Sequence, residues 1–170
     1  DVLLMPDYTE IKRDEIDLSS YFTPSIKLKI PIVSSPMDTV TEEKMAEELA
    51  KEGGMGIIHR NLLIDKQALM VKNIKRKGLM VGAAVSVGKD LVERTKSLVL
   101  AGADVFVIDS AHGFSKFVIE ATVFIKEKYP KISLISGNVA TYEGAMALIK
   151  AGADALKVGM GPGSICTTRI

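Results

Sequence analysis

The sequence predicts an α/β protein of the (β/α)8, or TIM-barrel, class, with its 170 residues covering about the first six βα units. Three observations lead there. Six short apolar runs rich in valine and isoleucine alternate with amphipathic stretches, and near-continuous apolarity marks strands covered on both faces. Polar residues and glycines gather just after those runs, where a barrel keeps its reactive groups. Finally, LVLAGADVFVIDSA (98–111) and LIKAGADALKVGMG (148–161) share the frame helix end, Ala-Gly-Ala-Asp, strand, small-residue loop, at a spacing of 50 residues. Two βα units account for that spacing.

Taken in order, the strand candidates are PIVSS (31–35), MGIIH (55–59), LMVGAAV (79–85), DVFVIDS (104–110), ISLIS (132–136) and DALKVG (154–159). Between them lie helical patterns. In TEEKMAEELAKE, Met45, Ala46, Leu49 and Ala50 share a face; in KDLVERTKSLVLAG it is Leu91, Val92, Thr95, Leu98 and Val99. Further helices are expected at 65–77, 116–128 and 142–151. Thr141 suits the N-cap of the last, and Gly53, Gly102 and Gly152 stand where a left-handed stop belongs. A doubly wound open sheet is the alternative. It is disfavoured because no strand leads into a Gly-x-Gly-x-x-Gly turn, and the glycines of GGMGII precede a strand instead.

Six of eight strands would leave two open edges. The chain also begins mid-motif at DVLLMPD without an initiator methionine. The expectation is therefore that residues 1–170 are the N-terminal and central part of a single catalytic barrel domain, a piece of a longer polypeptide. Composition is that of an ordinary globular protein, 47% hydrophobic and 25% charged, with 22 basic against 21 acidic residues. Such a balance gives no electrostatic case for a nucleic-acid or membrane partner. The basic cluster Lys72, Lys75, Arg76 and Lys77 is explained by a helix C-terminus. One cysteine cannot form an internal disulfide, and neither a signal peptide nor a run of 18 apolar residues is visible. A cytoplasmic protein is expected.

The strand ends supply the chemistry. In order they read Ser34-Ser35-Pro36-Met37-Asp38, His59-Arg60-Asn61, Asp109-Ser110-Ala111-His112-Gly113, Gly137-Asn138, and KVGMGPGSICTTRI with the lone thiol, Cys166. Asp109 follows VFVI directly. It suits either a helix cap or a ligand contact, with small neighbours leaving room for both hydroxyls of a ribose. The two histidines, His59 and His112, lack acidic partners at a metal-ligand spacing, so zinc is not expected. His59 reads as a hydrogen-bonded framework residue rather than a general base. Asn138 is either a turn former or a substrate donor, and Asp38 either a helix cap or a chemical group. In Gly161-Pro162-Gly163-Ser164, the backbone amides of the two glycines and Ser164 would cradle an anion, or the loop carbonyls a monovalent cation. Cys166 in that pliable loop reads as a nucleophile, with a buried inert thiol or a redox sensor as alternatives.

Five stretches together resemble the inosine-5′-monophosphate dehydrogenase family: DVLLMPD (1–7), PIVSSPMDTVTEEKMAEELAKEGGMGIIHRN (31–61), GADVFVIDSAHGFS (102–115), SGNVAT (136–141) and GADALKVGMGPGSICTTR (152–169). The related guanosine-5′-monophosphate reductases share the MDT, GN and GPGS-C-TTR elements but usually carry asparagine in place of Pro36. A non-catalytic nucleotide-binding barrel is a further alternative. The resemblance implies Cys166 as the nucleophile toward purine C2, Thr168 beside it and Asn138 near the reacting centre. It implies Asp109, Ser110 and Ala111 at the nicotinamide ribose of NAD+. Ser35 and Met37 would contact the purine nucleotide, and Ser164 its phosphate. Carbonyls of Gly161, Gly163 and Cys166 would hold a potassium ion, and the assembly would be a homotetramer. Two departures stand out: Phe114 replaces a common histidine, and NIKRKGLMVGAAV leaves no space for the family's paired CBS regulatory modules. The family's mobile flap, with its hydrolytic Arg-Tyr pair, would lie beyond Ile170.

Overall fold

The computed structural model describes residues 3–161 together with Gly163 and Cys166. After a single 3-10 turn at Arg13–Glu15, strands β1 (Ser20–Thr23) and β2 (Ile26–Leu28) form an antiparallel hairpin. Strands and helices then alternate: β3 (Val33–Ser34), α1 (Glu43–Lys51), β4 (Met55–Ile58), α2 (Ile64–Arg76), β5 (Gly82–Val85), α3 (Leu91–Ala101), β6 (Val105–Asp109), α4 (Lys116–Lys128), β7 (Ser133–Val139), α5 (Tyr142–Lys150) and β8 (Ala155–Val158). The last six strands make one parallel sheet in strictly sequential order, β3-β4-β5-β6-β7-β8. A doubly wound sheet would reverse direction at a switch point. This one does not, and its curled form is that of a partial TIM barrel, with five βα units and the strand of a sixth among the described residues.

All five helices stand close to where the periodicity puts them. Thr141 caps α5 by accepting a hydrogen bond from the Gly144 amide at 3.2 Å, and Gly53, Gly102 and Gly152 all adopt positive φ. Three strands depart from their apolar runs, β3 keeping only Val33–Ser34 of PIVSS. β5 begins at Gly82, three residues into LMVGAAV, and β7 continues through Asn138 to Val139 with a register irregularity between Gly137 and Val139.

Strand parity divides the core in two. Ile58, Ala83, Val85, Phe106, Ile108 and Leu134 face outward under the helices, packed with Val71, Leu98, Ile125 and Leu148. Met55, Ile57, Ala84, Val105, Val107 and Ile135 face the barrel interior. Each fully buried aliphatic side chain of this size contributes about 1.5–3 kcal/mol. The interior layer is completed by Ile26 and Leu28 of β2 and by Phe22 of β1. Hydroxyls of Thr23 and Ser25 meet that of Ser133 at 3.0 and 2.8 Å, tying the hairpin to the start of β7. The apolar runs leave residues 8–30 unassigned, although the alternation IKLKI carries a period-two signal.

The repeated Ala-Gly-Ala-Asp frame is a repeated piece of structure. Asp104 donates its amide to the Val81 carbonyl at 3.0 Å and accepts the Val81 amide on its carboxylate at 2.8 Å. Lys75, from the end of α2, binds both oxygens of the same carboxylate at 2.8 and 2.9 Å. Asp154 repeats this with Leu134, both bonds at 2.8 Å, and with Lys126 of α4 at 2.8 Å. Gly102 and Gly152, at φ 90° and 100°, end the preceding helices against the stems of those lysines. Two clamps therefore close the N-terminal ends of the strands.

Candidate active site

The opposite, C-terminal ends of the strands carry the residues singled out for chemistry. Among the described residues, three buried side-chain polar atoms have no hydrogen-bond partner: Ser34 Oγ, His59 Nδ1 and Asn138 Oδ1. All three lie at this end of β3, β4 and β7. A buried polar atom left unpaired costs about 1–3 kcal/mol. Such atoms are usually paired in native interiors, so three at one end of the sheet mark a place built for something more.

Asp109 is the last residue of β6 and shares interior parity with Val105 and Val107. It is not a helix cap: α4 is capped by Ser115, whose hydroxyl accepts from the Val118 amide at 3.4 Å. Its Oδ1 instead receives the ammonium of Lys157 at 2.6 Å. Lys157 lies on β8, two strands away, with Gly137 paired between them in register. A Cβ on Gly137 would stand 2.7 Å from Lys157 Cβ and 2.5 Å from its carbonyl oxygen. The missing side chain lets the lysine cross. The sequence reading misses Lys157, for which the signal is a lone charge inside the apolar run DALKVG.

The loop after β6 is fastened to β7. Ser110 donates its amide to Gly137 O at 3.0 Å and accepts that of Asn138 at 2.7 Å, while the Gly113 amide reaches Asn138 O at 2.8 Å. Ala111 is exposed on this loop. Asn138 is no simple turn former, since its Nδ2 donates to Gly159 O at 2.8 Å and so holds the start of the loop after β8.

On the other side, the loop after β3 turns tightly, with the Met37 amide on Ser35 O at 2.8 Å and the Thr41 hydroxyl on the same carbonyl at 2.6 Å. Asp38 does not cap α1, which begins after Glu42; its carboxylate accepts from Asn61 Nδ2 at 2.9 Å. His59 is hydrogen-bonded as framework: buried, with Nε2 3.3 Å from Glu42. Behind it, buried Gln67 donates to Ile58 O at 3.1 Å and Ala84 O at 2.9 Å, and is itself held by Arg94 at 2.7 Å. Arg94 also binds Asp90 at 2.7 Å, and Asp90 accepts from Ser86. Burial opposes the charge on Asp90, but the bonds from Ser86 and Arg94 outweigh it and hold its carboxyl below the ordinary value.

These elements leave two adjoining clefts. One, of about 360 Å³, is lined by Met37, Asp38, His59, Arg60, Asn61 and Asp109 among others. The second, of about 170 Å³, opens onto Ser34, Ser35, Pro36 and Lys157. Met37 and Asp109 thus come together in one cleft, Ser35 borders the other, and the Asp109–Lys157 pair joins the two. Cys166 is half-buried and donates its amide to Gly163 O at 3.0 Å, closing a turn; Gly161 has φ 67°. Ser164 and Thr168 lie outside the described residues. Among the described residues no group of three His, Cys, Asp or Glu could hold a metal ion, and no helix is long and apolar enough to cross a membrane.

Comparison with known proteins gives this arrangement relatives. Inosine-5′-monophosphate dehydrogenase of Borreliella burgdorferi is 40% identical in a match covering the whole chain and 54% of that protein. The enzyme of the same name from Cryptosporidium parvum is 42% identical, over the whole chain and 52% of its own length. That of Aquifex aeolicus is 34% identical, over the whole chain and 61% of its length. The chain spans about half to three-fifths of the length of these curated relatives. The model of the IMP dehydrogenase / GMP reductase domain matches residues 1–170, and with a sequential parallel sheet whose polar ends converge on one face, the chain belongs to that family.

Proposed function

We propose that this chain provides the hydride-transfer half of an enzyme that oxidises inosine 5′-monophosphate to xanthosine 5′-monophosphate, a step toward guanine nucleotides. The observation that carries the reading is the collection of unpartnered Ser34 Oγ, His59 Nδ1 and Asn138 Oδ1 at the strand ends that also bear Asp109. In this reading Cys166 adds to purine C2 as a thiolate, C2 gives up a hydride, and water later hydrolyses the thioimidate. Bound NAD+ would supply the hydride acceptor. Asp109 would accept the hydroxyls of its nicotinamide ribose, with Ser110 and Ala111 alongside; an interior-facing carboxylate beside a cleft fits that group. Ser35 and Met37 would contact the nucleotide and Ser164 its phosphate. Asn138 and Thr168 would stand near the reacting centre.

Potassium fits the terminal loop through the carbonyls of Gly161, Gly163 and Cys166. Such neutral oxygens suit a large monovalent ion better than a small divalent one. Gly163 O already accepts from the Cys166 amide, and a carbonyl keeps a second lone pair. Residues 1–170 would form the N-terminal and central part of a single catalytic barrel domain, without CBS modules in this segment, in a cytoplasmic homotetramer. The test is an activity matrix on the intact protein, pairing inosine or guanosine monophosphate with NAD+ or NADPH. Reduction of NAD+ with inosine monophosphate is expected; consumption of NADPH with guanosine monophosphate would instead identify a reductase.

A further inference from the structure

We propose that Lys157 is a positioning residue for the Asp109 carboxylate, reaching over Gly137 to fix which carboxylate oxygen faces ligand hydroxyls at the barrel mouth. The inference rests on the reading of Asp109 as an acceptor for the cofactor ribose. Three observations support it. The ammonium meets Oδ1 at 2.6 Å, leaving Oδ2 and the remaining lone pairs as acceptors. Asp109 borders the larger cleft and Lys157 the smaller, so the pair stands at their junction. Gly137 lies between the two strands with no room for a Cβ, so the crossing is accommodated by the backbone itself.

Geometry also sets the choice of residue. Two strand spacings separate β6 from β8, about 9.6 Å. An aspartate is too short to cover that span, so its partner needs a long stem ending in a donor. Lysine has the length and three donors, and no acceptor with which to compete for ligand hydroxyls. Held this way, the carboxylate keeps one orientation before the ligand arrives, which reduces the ordering cost of binding. With the ammonium removed, Asp109 would be free to turn toward water.

The test is a double-mutant cycle in the intact protein, with NAD+ affinity measured by calorimetry and turnover, inosine monophosphate affinity and thermal midpoint measured alongside. Lys157→Met is expected to weaken NAD+ binding about tenfold while changing nucleotide affinity less than about twofold. Lys157→Arg, which retains length and charge, should recover NAD+ affinity to within about threefold of the parent. In an Asp109→Asn background, Lys157→Met should add less than about twofold, because the two residues act as a unit. An equal further loss in that background, or a lowered thermal midpoint with no preferential loss of NAD+ affinity, would overturn the positioning role. Should Lys157→Met not fold, Lys157→Gln carries the same test with a polar but shorter stem. Unaltered NAD+ affinity in Asp109→Asn alone would sink the ribose reading itself, a different result from failure of the coupling.

Discussion

Strand β6 follows directly on one aspartate, Asp104, and ends on another, Asp109, and each is paired with a lysine. Asp104 and Lys75 have side chains 24% and 29% exposed; Asp109 and Lys157 are 28% and 32% exposed. Burial does not distinguish them. What differs is completion. Asp104 also accepts the Val81 amide and returns its own amide to Val81 O, so carboxylate, ammonium and backbone close on each other. Asp109 has its lysine beside a cleft, near strand ends where Ser34, His59 and Asn138 each leave a buried atom unpaired. The same pair of residue types reads as a fastening where every group is satisfied and as a site where some wait for a partner.

If that contrast is right, changes at the C-terminal ends should move kinetics and spare stability, and changes at the N-terminal ends should do the reverse. The largest expected effect is Cys166→Ala: turnover falls by about 10⁴-fold or more, as when a nucleophile is removed. Folding stability should stay within about 0.5 kcal/mol. Stopped assays and denaturant unfolding of the intact enzyme would check both halves; substantial residual turnover would break the assignment.

Next comes Asp154→Ala, which removes the acceptor for the Leu134 amide and for Lys126 together. It should cost about 1.5–3 kcal/mol in denaturant unfolding, with Michaelis constants changed less than about twofold. A kinetic defect at unchanged stability would break the comparison from the other side. Asp109→Ala should weaken NAD+ use by about ten- to a hundredfold and leave inosine monophosphate affinity nearly unchanged. The smallest effect concerns the terminal loop. Titrating potassium chloride at constant ionic strength into protein dialysed against a bulky organic cation should raise turnover about threefold to tenfold, with sodium a poor substitute. A flat profile would remove the cation from this reading.

Much of the framework is legible in the sequence because it depends on local, periodic signals. Apolar runs and helical faces locate six strands and five helices, and Thr141, Gly53, Gly102 and Gly152 mark boundaries by their own backbone chemistry. Asp109, Met37 and Asn138 can be picked out because strand ends can be counted. Long-range pairing is not legible in this way. Nothing local to Lys157 says that it crosses Gly137 to Asp109. The hairpin β1–β2 acquires its place only when Ile26, Leu28 and Phe22 meet the barrel interior. The helix-cap alternatives for Asp38 and Asp109 fail for a related reason: Asn61 and Lys157 claim those carboxylates from distant elements. The repeated Ala-Gly-Ala-Asp frame is visible as letters, but its reciprocal bonds to Val81 and Leu134 are a property of the folded sheet.

The first clamp has an architectural consequence. Lys75 and Val81 bind one carboxylate from the two sides of the short link between α2 and β5, and at its middle Gly78 faces open space. The link is therefore stapled at its base, and its length is decoupled from the strand geometry it connects. Loop-closure entropy grows by only about 0.6 kcal/mol for each doubling of length. A loop of this kind is a docking port in the engineering sense. An independently folding module grafted at Gly78 would hang from the N-terminal side of the barrel, with its two tethers already held together, far from the strand ends that face the ligand.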